Sequence, residues 1–217
     1  MSTPIQSITV ADLLTNNRAW AESKRAADPK FFQRMVNQQN PRYLWIGCSD
    51  SRVPANEIVG TDPGVMIVHR NIANLAPTHD TNYLSVLQYA IQVLGVSDVL
   101  VVGHYGCGGV RTVLRNEWLG LIDHWLSPVR ELMREHALEL DALPDEVARH
   151  DRLCELNVLR QVHNVATNPF VLEAWEKGTN VAIHGWCYSI ADGLIIDLGA
   201  TVTRHEALQR PRARGNP

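Results

Sequence analysis

No stretch of this chain stays apolar for the roughly 20 residues that a membrane-spanning helix needs. Its start, MSTPIQSITVADLL, has neither the basic residues nor the apolar core of a secretory signal. Cysteine is scarce, with four residues in 217. Without a signal, thiols this sparse make no disulfide framework; they point instead to metal binding, catalysis or burial in a reducing compartment, the cytoplasm. A surplus of one charge is lacking as well, since 20 Lys and Arg against 23 Asp and Glu leave a net charge of −3. That balance argues against nucleic acid or a membrane surface as a partner. The one basic cluster, RPRARGNP at residues 210–217, is rich in Pro and Gly and is expected to be a frayed tail. Internal repeats and low-complexity segments are absent.

What is present is an ordinary globular balance, 45% hydrophobic and 20% charged, over a length that supports one substantial core. From residue 40 onward, short apolar runs alternate with helical ones. YLWIGC (43–48), VMIVHR (65–70), DVLVVGH (98–104) and VAIHGWCY (181–188) read as strands. Two are almost continuously apolar, as in a parallel sheet covered on both faces. Between the second and third lies HDTNYLSVLQYAIQVLG, with Asp80 or Thr81 to cap it, a helical stripe of Leu84, Leu87, Ile91 and Leu94, and Gly95 to stop it. GLIIDLG (193–199) follows the turn SIADG and is expected to pair antiparallel as a hairpin. Residues 109–177 read as helical, with breaks at Pro128, Pro144 and Pro169. The expected fold is α/β, a mainly parallel sheet of about four strands plus an antiparallel edge strand, flanked by helices. The first 37 residues form two helical pieces split at Asp28-Pro29, either an arm for a neighbouring subunit or a helix on the chain's own sheet.

GHYGCGG (103–109) follows directly on the third strand, and GCSDSRVP on the first. In an open parallel sheet both loops lie at the carboxyl ends of the strands, where ligands bind. If the strands are neighbours, Cys48, His104 and Cys107 converge, and two thiolates with an imidazole suit zinc while leaving a fourth position open. Asp50 has two possible roles beside such an ion: a fourth ligand that closes the site, or an acceptor held by the Arg52 fork that orients a metal-bound water. A closed structural site is the plain alternative. Other readings of the glycine loop fit less well. It has no Walker-type Lys and Ser/Thr, no dinucleotide spacing and no C-x-x-C. A Cys107–His104 nucleophilic dyad remains open but leaves Cys48, Asp50 and Arg52 unexplained.

CSDSR (48–52) and HYGCGG (104–109) together resemble the paired signature motifs of the β-class carbonic anhydrases. The resemblance runs through VHRNIAN (68–74), LSVLQYAIQVLGV and GWCYSIADG, over roughly residues 40–200. It implies one zinc ion per subunit on Cys48, His104 and Cys107, with Asp50 and Arg52 as the catalytic dyad. The implied reaction is reversible hydration of carbon dioxide to bicarbonate and a proton. A homodimer or homotetramer is implied too, with residues 1–37 as an arm on the partner. Trp45, Arg70 and Tyr188 match a subtype with a regulatory bicarbonate pocket, in which Asp50 ligates zinc in an inactive state. The alternative is that Trp45 and Tyr188 are core aromatics and that Arg70 pairs with an acid. Cys154 and Cys187 read as buried small hydrophobes, and His69, His124, His163 and His184 have no partner at metal spacing. Two other functions stay in view: hydrolysis of carbonyl sulfide or carbon disulfide, and a zinc-stabilised interaction protein without catalysis.

Overall fold

Thr9 and Asp12 open the first helix as a reciprocal cap: Asp12 N–H donates to Thr9 Oγ1 at 3.2 Å and Thr9 N–H to Asp12 Oδ2 at 2.7 Å. The helix runs over Val10–Ala27 (α1), and a second over Phe31–Val36 (α2) follows Asp28-Pro29. Trp20 of α1 meets Phe32 of α2 edge to face at 5.6 Å, and no residue of α1 is buried. These helices come from a computed structural model that describes residues 8–36 and 39–203; the tail expected at 210–217 lies outside them. The chain divides into two compact units, Met1–Gln39 and Asn40–Pro217.

The second unit is built on one five-stranded sheet. Its strands are β1 (Tyr43–Cys48), β2 (Met66–Asn71), β3 (Asp98–His104), β4 (Ala182–Tyr188) and β5 (Ile195–Asp197). Their order is β2-β1-β3-β4-β5, with β1–β2, β1–β3 and β3–β4 parallel and β5 antiparallel to β4. The expected four parallel strands and antiparallel edge are all there. β1 and β3, the two continuous apolar runs, are buried from their second residue onward because helices cover both faces. Leu44, Ile46, Val99, Val101 and Ile183 pack on one face with Tyr83, Leu87, Val158 and Val162. Trp45, Met66, Leu100 and Val102 form a second cluster with Val53 and Ala55.

The helical stretches depart from the sequence reading in two places. A four-residue helix (α3, Ala55–Ile58) lies between β1 and β2. The capped run begins as α4 (Thr81–Gln88), where Asp80 accepts the N–H groups of Asn82 and Tyr83. It then widens into a π turn at Tyr89–Val93 before Gly95 ends it at φ +67°. A helical stripe cannot register the widening, since one extra residue per turn leaves Leu87 and Ile91 on the buried side.

Residues 108–176 form six helices: α5 (Gly108–Leu114), α6 (Leu121–Trp125), α7 (Ser127–Glu135), α8 (Ala137–Asp141), α9 (Glu146–Ala166) and α10 (Pro169–Glu176). Pro128 and Pro169 start helices rather than merely breaking them, because the first turn has no use for their missing N–H groups. Pro144 stands just ahead of Asp145, which caps α9. α9 can lie close on the sheet because β3 and β4 present Gly103 and Gly185 to Val158. Among the described residues no helix is long and apolar enough to cross a membrane.

Candidate metal centre

Cys48 ends β1 and His104 ends β3, and the two strands are hydrogen-bonded neighbours in parallel register. Cys107 stands at the N-cap of α5, where its side chain makes no capping bond and is left to face the other two. Gly106, at φ +72°, supplies the left-handed turn that folds Cys107 back toward His104. The donor atoms of Cys48, His104 and Cys107 all lie within 4.8 Å of one another, and all three residues are buried. The two sulfurs are 3.9 Å apart.

The ring of His104 shows which nitrogen is available. Nδ1 sits 3.0 Å from the Tyr105 carbonyl, which can only accept, so Nδ1 carries the hydrogen. Nε2 is buried without a hydrogen-bond partner. A buried imidazole lone pair facing two thiols is a poor arrangement for a protein alone and a good one for a thiophilic cation. A hydrogen bond joins the two thiols, and either sulfur can donate it. The hydrogen bond with Cys107 pulls the Cys48 thiol well below its ordinary value against its burial, with further help from the backbone N–H groups of Asp50 and Ala73. Cys107 is pushed up by the same bond and by burial. A metal ion held by Cys48, Cys107 and His104 would favour the thiolate form of both sulfurs. The three-residue set therefore fits a metal ion.

Asp50 and Arg52 lie in the turn after β1. Arg52 forks the carboxylate, Nε to Oδ1 at 2.9 Å and Nη2 to Oδ2 at 2.7 Å, and adds its own N–H to Oδ1 at 3.0 Å. These bonds hold the Asp50 carboxyl well below the usual range although burial opposes them. Arg52 Nη2 also reaches the Gly106 carbonyl at 3.4 Å, tying the dyad to the second loop. Asp50 Oδ2 is 3.8 Å from His104 Nε2. Asp50 is therefore turned to Arg52 while facing the metal cluster.

Trp45, Arg70 and Tyr188 share a sheet face by register, through Gly47↔Arg70, Gly47↔Val102 and His104↔Tyr188. Trp45 is fully buried and packs in the same apolar cluster as Tyr188, and its Nε1 has no hydrogen-bond partner. Among the described residues Arg70 pairs with no acid. It donates to the carbonyls of Cys48, at 2.8 Å, and Asp50. Cys154 and Cys187 are buried thiols, as expected, and burial pushes Cys187 up to about 12. His184 bonds Asp98 and Thr201 instead of joining the metal cluster.

Two contributors escaped the sequence reading. Ala73 adopts φ +63° inside a 3-10 turn at Ile72–Asn74 and aims its N–H at Cys48. His150 reaches Cys107 from 43 residues away. VHRNIAN carried a hint of the first, and nothing in the sequence marked the second. Beside the Cys48 loop, Ser49, Asn71, Ile72, Leu121, Ile122, His124 and Trp125 line a mostly apolar cavity of about 640 Å³.

Comparison with known proteins agrees with this geometry. The family described as "Carbonic anhydrase" matches residues 43–195. A carbonic anhydrase of Emericella nidulans is 46% identical over 186 residues, covering 86% of this chain and 82% of that protein. One from Pseudomonas aeruginosa is 32% identical over 87% of each chain. Among solved structures, a Coccomyxa β-carbonic anhydrase in complex with acetazolamide superposes with a TM-score of 0.88 at 36% identity, covering 93% of this chain and 91% of that one. A tetrameric β-carbonic anhydrase from Sordaria macrospora gives 0.84 at 39% identity, covering 88% and 97%. With a family match across the four parallel strands and relatives that align over most of their length, the chain is an enzyme of the β-carbonic anhydrase family.

Proposed function

We propose that the chain reversibly hydrates carbon dioxide to bicarbonate and a proton, using one zinc ion per subunit held by Cys48, His104 and Cys107. The carrying observation is the unpartnered, buried Nε2 of His104 among two sulfurs, beside an aspartate already committed to an arginine. Zinc in such a site supplies Lewis acidity that brings the pKa of a water to about 7. Asp50, kept ionised by Arg52, accepts one hydrogen of the attacking water and directs its lone pair toward the carbon. A C–O bond forms, one C=O π pair moves to oxygen, and the proton lost from water leaves for solvent. The apolar wall of Ile72, Leu121 and Ile122 suits an uncharged linear substrate better than a charged one.

Regulation is the finer part of this reading. Bicarbonate bound by Trp45, Arg70 and Tyr188 favours a state in which Asp50 leaves Arg52 and takes the fourth position on zinc. The unpartnered Trp45 Nε1 and the bonds from Arg70 to the Cys48 and Asp50 carbonyls support it, because an anion that draws Arg70 away releases the Asp50 loop. Bicarbonate titration of Tyr188→Phe tests it: equal inhibition and equal pH profiles in wild type and variant overturn the regulatory site. We extend the reading to a cytoplasmic homodimer or homotetramer with residues 1–37 packed on the partner, supported by the unburied α1 and by the tetrameric relative.

Stopped-flow carbon dioxide hydration between pH ~7 and ~9, with zinc content measured on the same samples, tests the activity. A zinc-replete protein that hydrates no carbon dioxide anywhere in that range overturns it.

A further inference from the structure

α9 stands behind the metal loops, and its side chains reach them through the backbone. His150, in its first turns, is 6% exposed, and its Nε2 lies 3.0 Å from the carbonyl oxygen of Cys107. A carbonyl only accepts, so Nε2 carries the hydrogen and donates it, whatever Nδ1 does. The second bond to that oxygen comes from Arg111 N–H within α5, at 3.0 Å. The Cys107 carbonyl is thereby fixed by two donors from two helices. Two turns along α9, Asn157 Nδ2 donates to the Ala73 carbonyl at 2.8 Å. One 21-residue helix thus braces the Cys107 peptide and the Ile72–Asn74 turn.

The need for a brace follows from where Cys107 sits. It is a helix cap with extended backbone (φ −62°, ψ 122°), at the mouth of a helix of only seven residues. Gly106 on one side and Gly108 and Gly109 on the other add no side chains of their own to fix the Cys107 backbone, which is left to its hydrogen bonds. A change in the backbone torsions of Cys107 would re-aim its Cβ–Sγ vector away from Cys48 and His104. Ordering the loop only when the ion arrives would weaken metal binding by the entropy of that ordering. On its other side the His150 Nδ1 lies 3.3 Å from Asp151 Oδ1, so the ring is held between that carboxylate and the Cys107 carbonyl, and burying its N–H without a partner would be unfavourable.

We propose that His150 is a positioning residue for the metal ligand Cys107, acting through the Cys107 carbonyl to hold the thiolate in its ligating direction before the ion binds. This rests on the reading of Cys107 as a ligand. The test uses the full chain, stripped of metal and titrated with zinc against a chromophoric chelator, and in parallel with cobalt(II) to read the thiolate charge-transfer bands. His150→Phe keeps a buried ring without the donor, and His150→Gln restores an N–H at a comparable reach. His150→Phe is expected to weaken zinc binding about 10- to 100-fold and to shift the cobalt bands, with His150→Gln near wild type in both. His150→Leu, a second donor-free variant, decides the matter if His150→Phe fails to fold. Wild-type zinc affinity and bands in the donor-free variant overturn the proposal. So does a His150→Gln protein that falls as far as the donor-free one, since packing would then explain both. Failure of wild type itself to bind one zinc ion overturns the ligand assignment, and the proposal with it.

Discussion

Arg52 takes both carboxylate oxygens of Asp50, two residues away, at 2.9 and 2.7 Å. The bidentate contact fixes the plane of the carboxylate as well as its charge, which a single ion pair would not do. Arg52→Lys keeps the positive charge and loses the fork. Hydrogen bonds to charged groups are worth about 1.5–3 kcal/mol, so hydration kcat/KM is expected to fall about 10- to 150-fold. Zinc content should stay at wild-type level, because Arg52 touches no ligand sulfur or imidazole. An Arg52→Lys protein as active as wild type would show that charge alone suffices.

Metal removal should act on stability as well as on rate. Three buried donors converge in the folded chain, and no comparable set is assembled when it unfolds. An ion at ~1,000 times its Kd adds about 4 kcal/mol, which for a chain of this size raises Tm by about 8–16 °C. Metal-free protein is expected to melt lower than the zinc-loaded form by that amount and to recover on adding zinc. Cys107→Ser should show a much smaller shift. An equal shift in wild type and variant would place the stabilising ion elsewhere.

Much of this site was legible because its residues cluster in two short loops that the strand pattern places side by side. Cys48, Asp50 and Arg52 follow one apolar run, and His104 and Cys107 follow another. β1 and β3 needed only to be neighbours for the rest to follow. The sheet was legible for the same reason, since doubly covered strands lose their alternation and read as continuous apolar runs. What the pattern could not carry is anything set by backbone torsion or by long-range packing. The π turn at Tyr89–Val93 leaves the apolar stripe intact. Ala73 takes a left-handed conformation without being glycine. His150 meets Cys107 only because Gly103 and Gly185 let α9 lie close to the sheet. The alternative in which Arg70 pairs with an acid is not met among the described residues, since Arg70 donates to two carbonyls of the Cys48–Asp50 turn.

Asp98, at the opposite end of β3, should govern part of the acid stability. Burial raises its carboxyl, but hydrogen bonds from Ser97, His184 and Arg42 outweigh that and hold it below the ordinary value. A carboxyl lower in the folded than in the unfolded state, where it is about 3.9, stabilises the fold above that value. The stabilisation fades as pH falls through the folded value. Denaturant unfolding of wild type is therefore expected to lose stability between pH ~5 and ~3 more steeply than Asp98→Asn does. Parallel pH profiles would mean that Asp98 titrates alike in both states.

The closest constraint on the ligand geometry is the residue before His104. A Cβ on Gly103 would lie 2.5 Å from Val158 Cγ2, well inside contact, with Asn74 Oδ1 at 3.5 Å and the Cys154 carbonyl at 3.7 Å on other sides. Strand β3 and helix α9 would have to separate, and overpacking of this kind costs about 1–3 kcal/mol. Because His104 is the next residue, the same displacement should lower zinc affinity. Val158→Ala removes the methyl that a new Cβ would strike. Gly103→Ala is therefore expected to destabilise the wild-type background by that amount and the Val158→Ala background by distinctly less, with zinc affinity recovering in parallel. Unfolding free energies for the four members of the double-mutant cycle measure the coupling directly. Additive effects, with no recovery of zinc binding, would show that Gly103 is required for its backbone and not for the approach of α9.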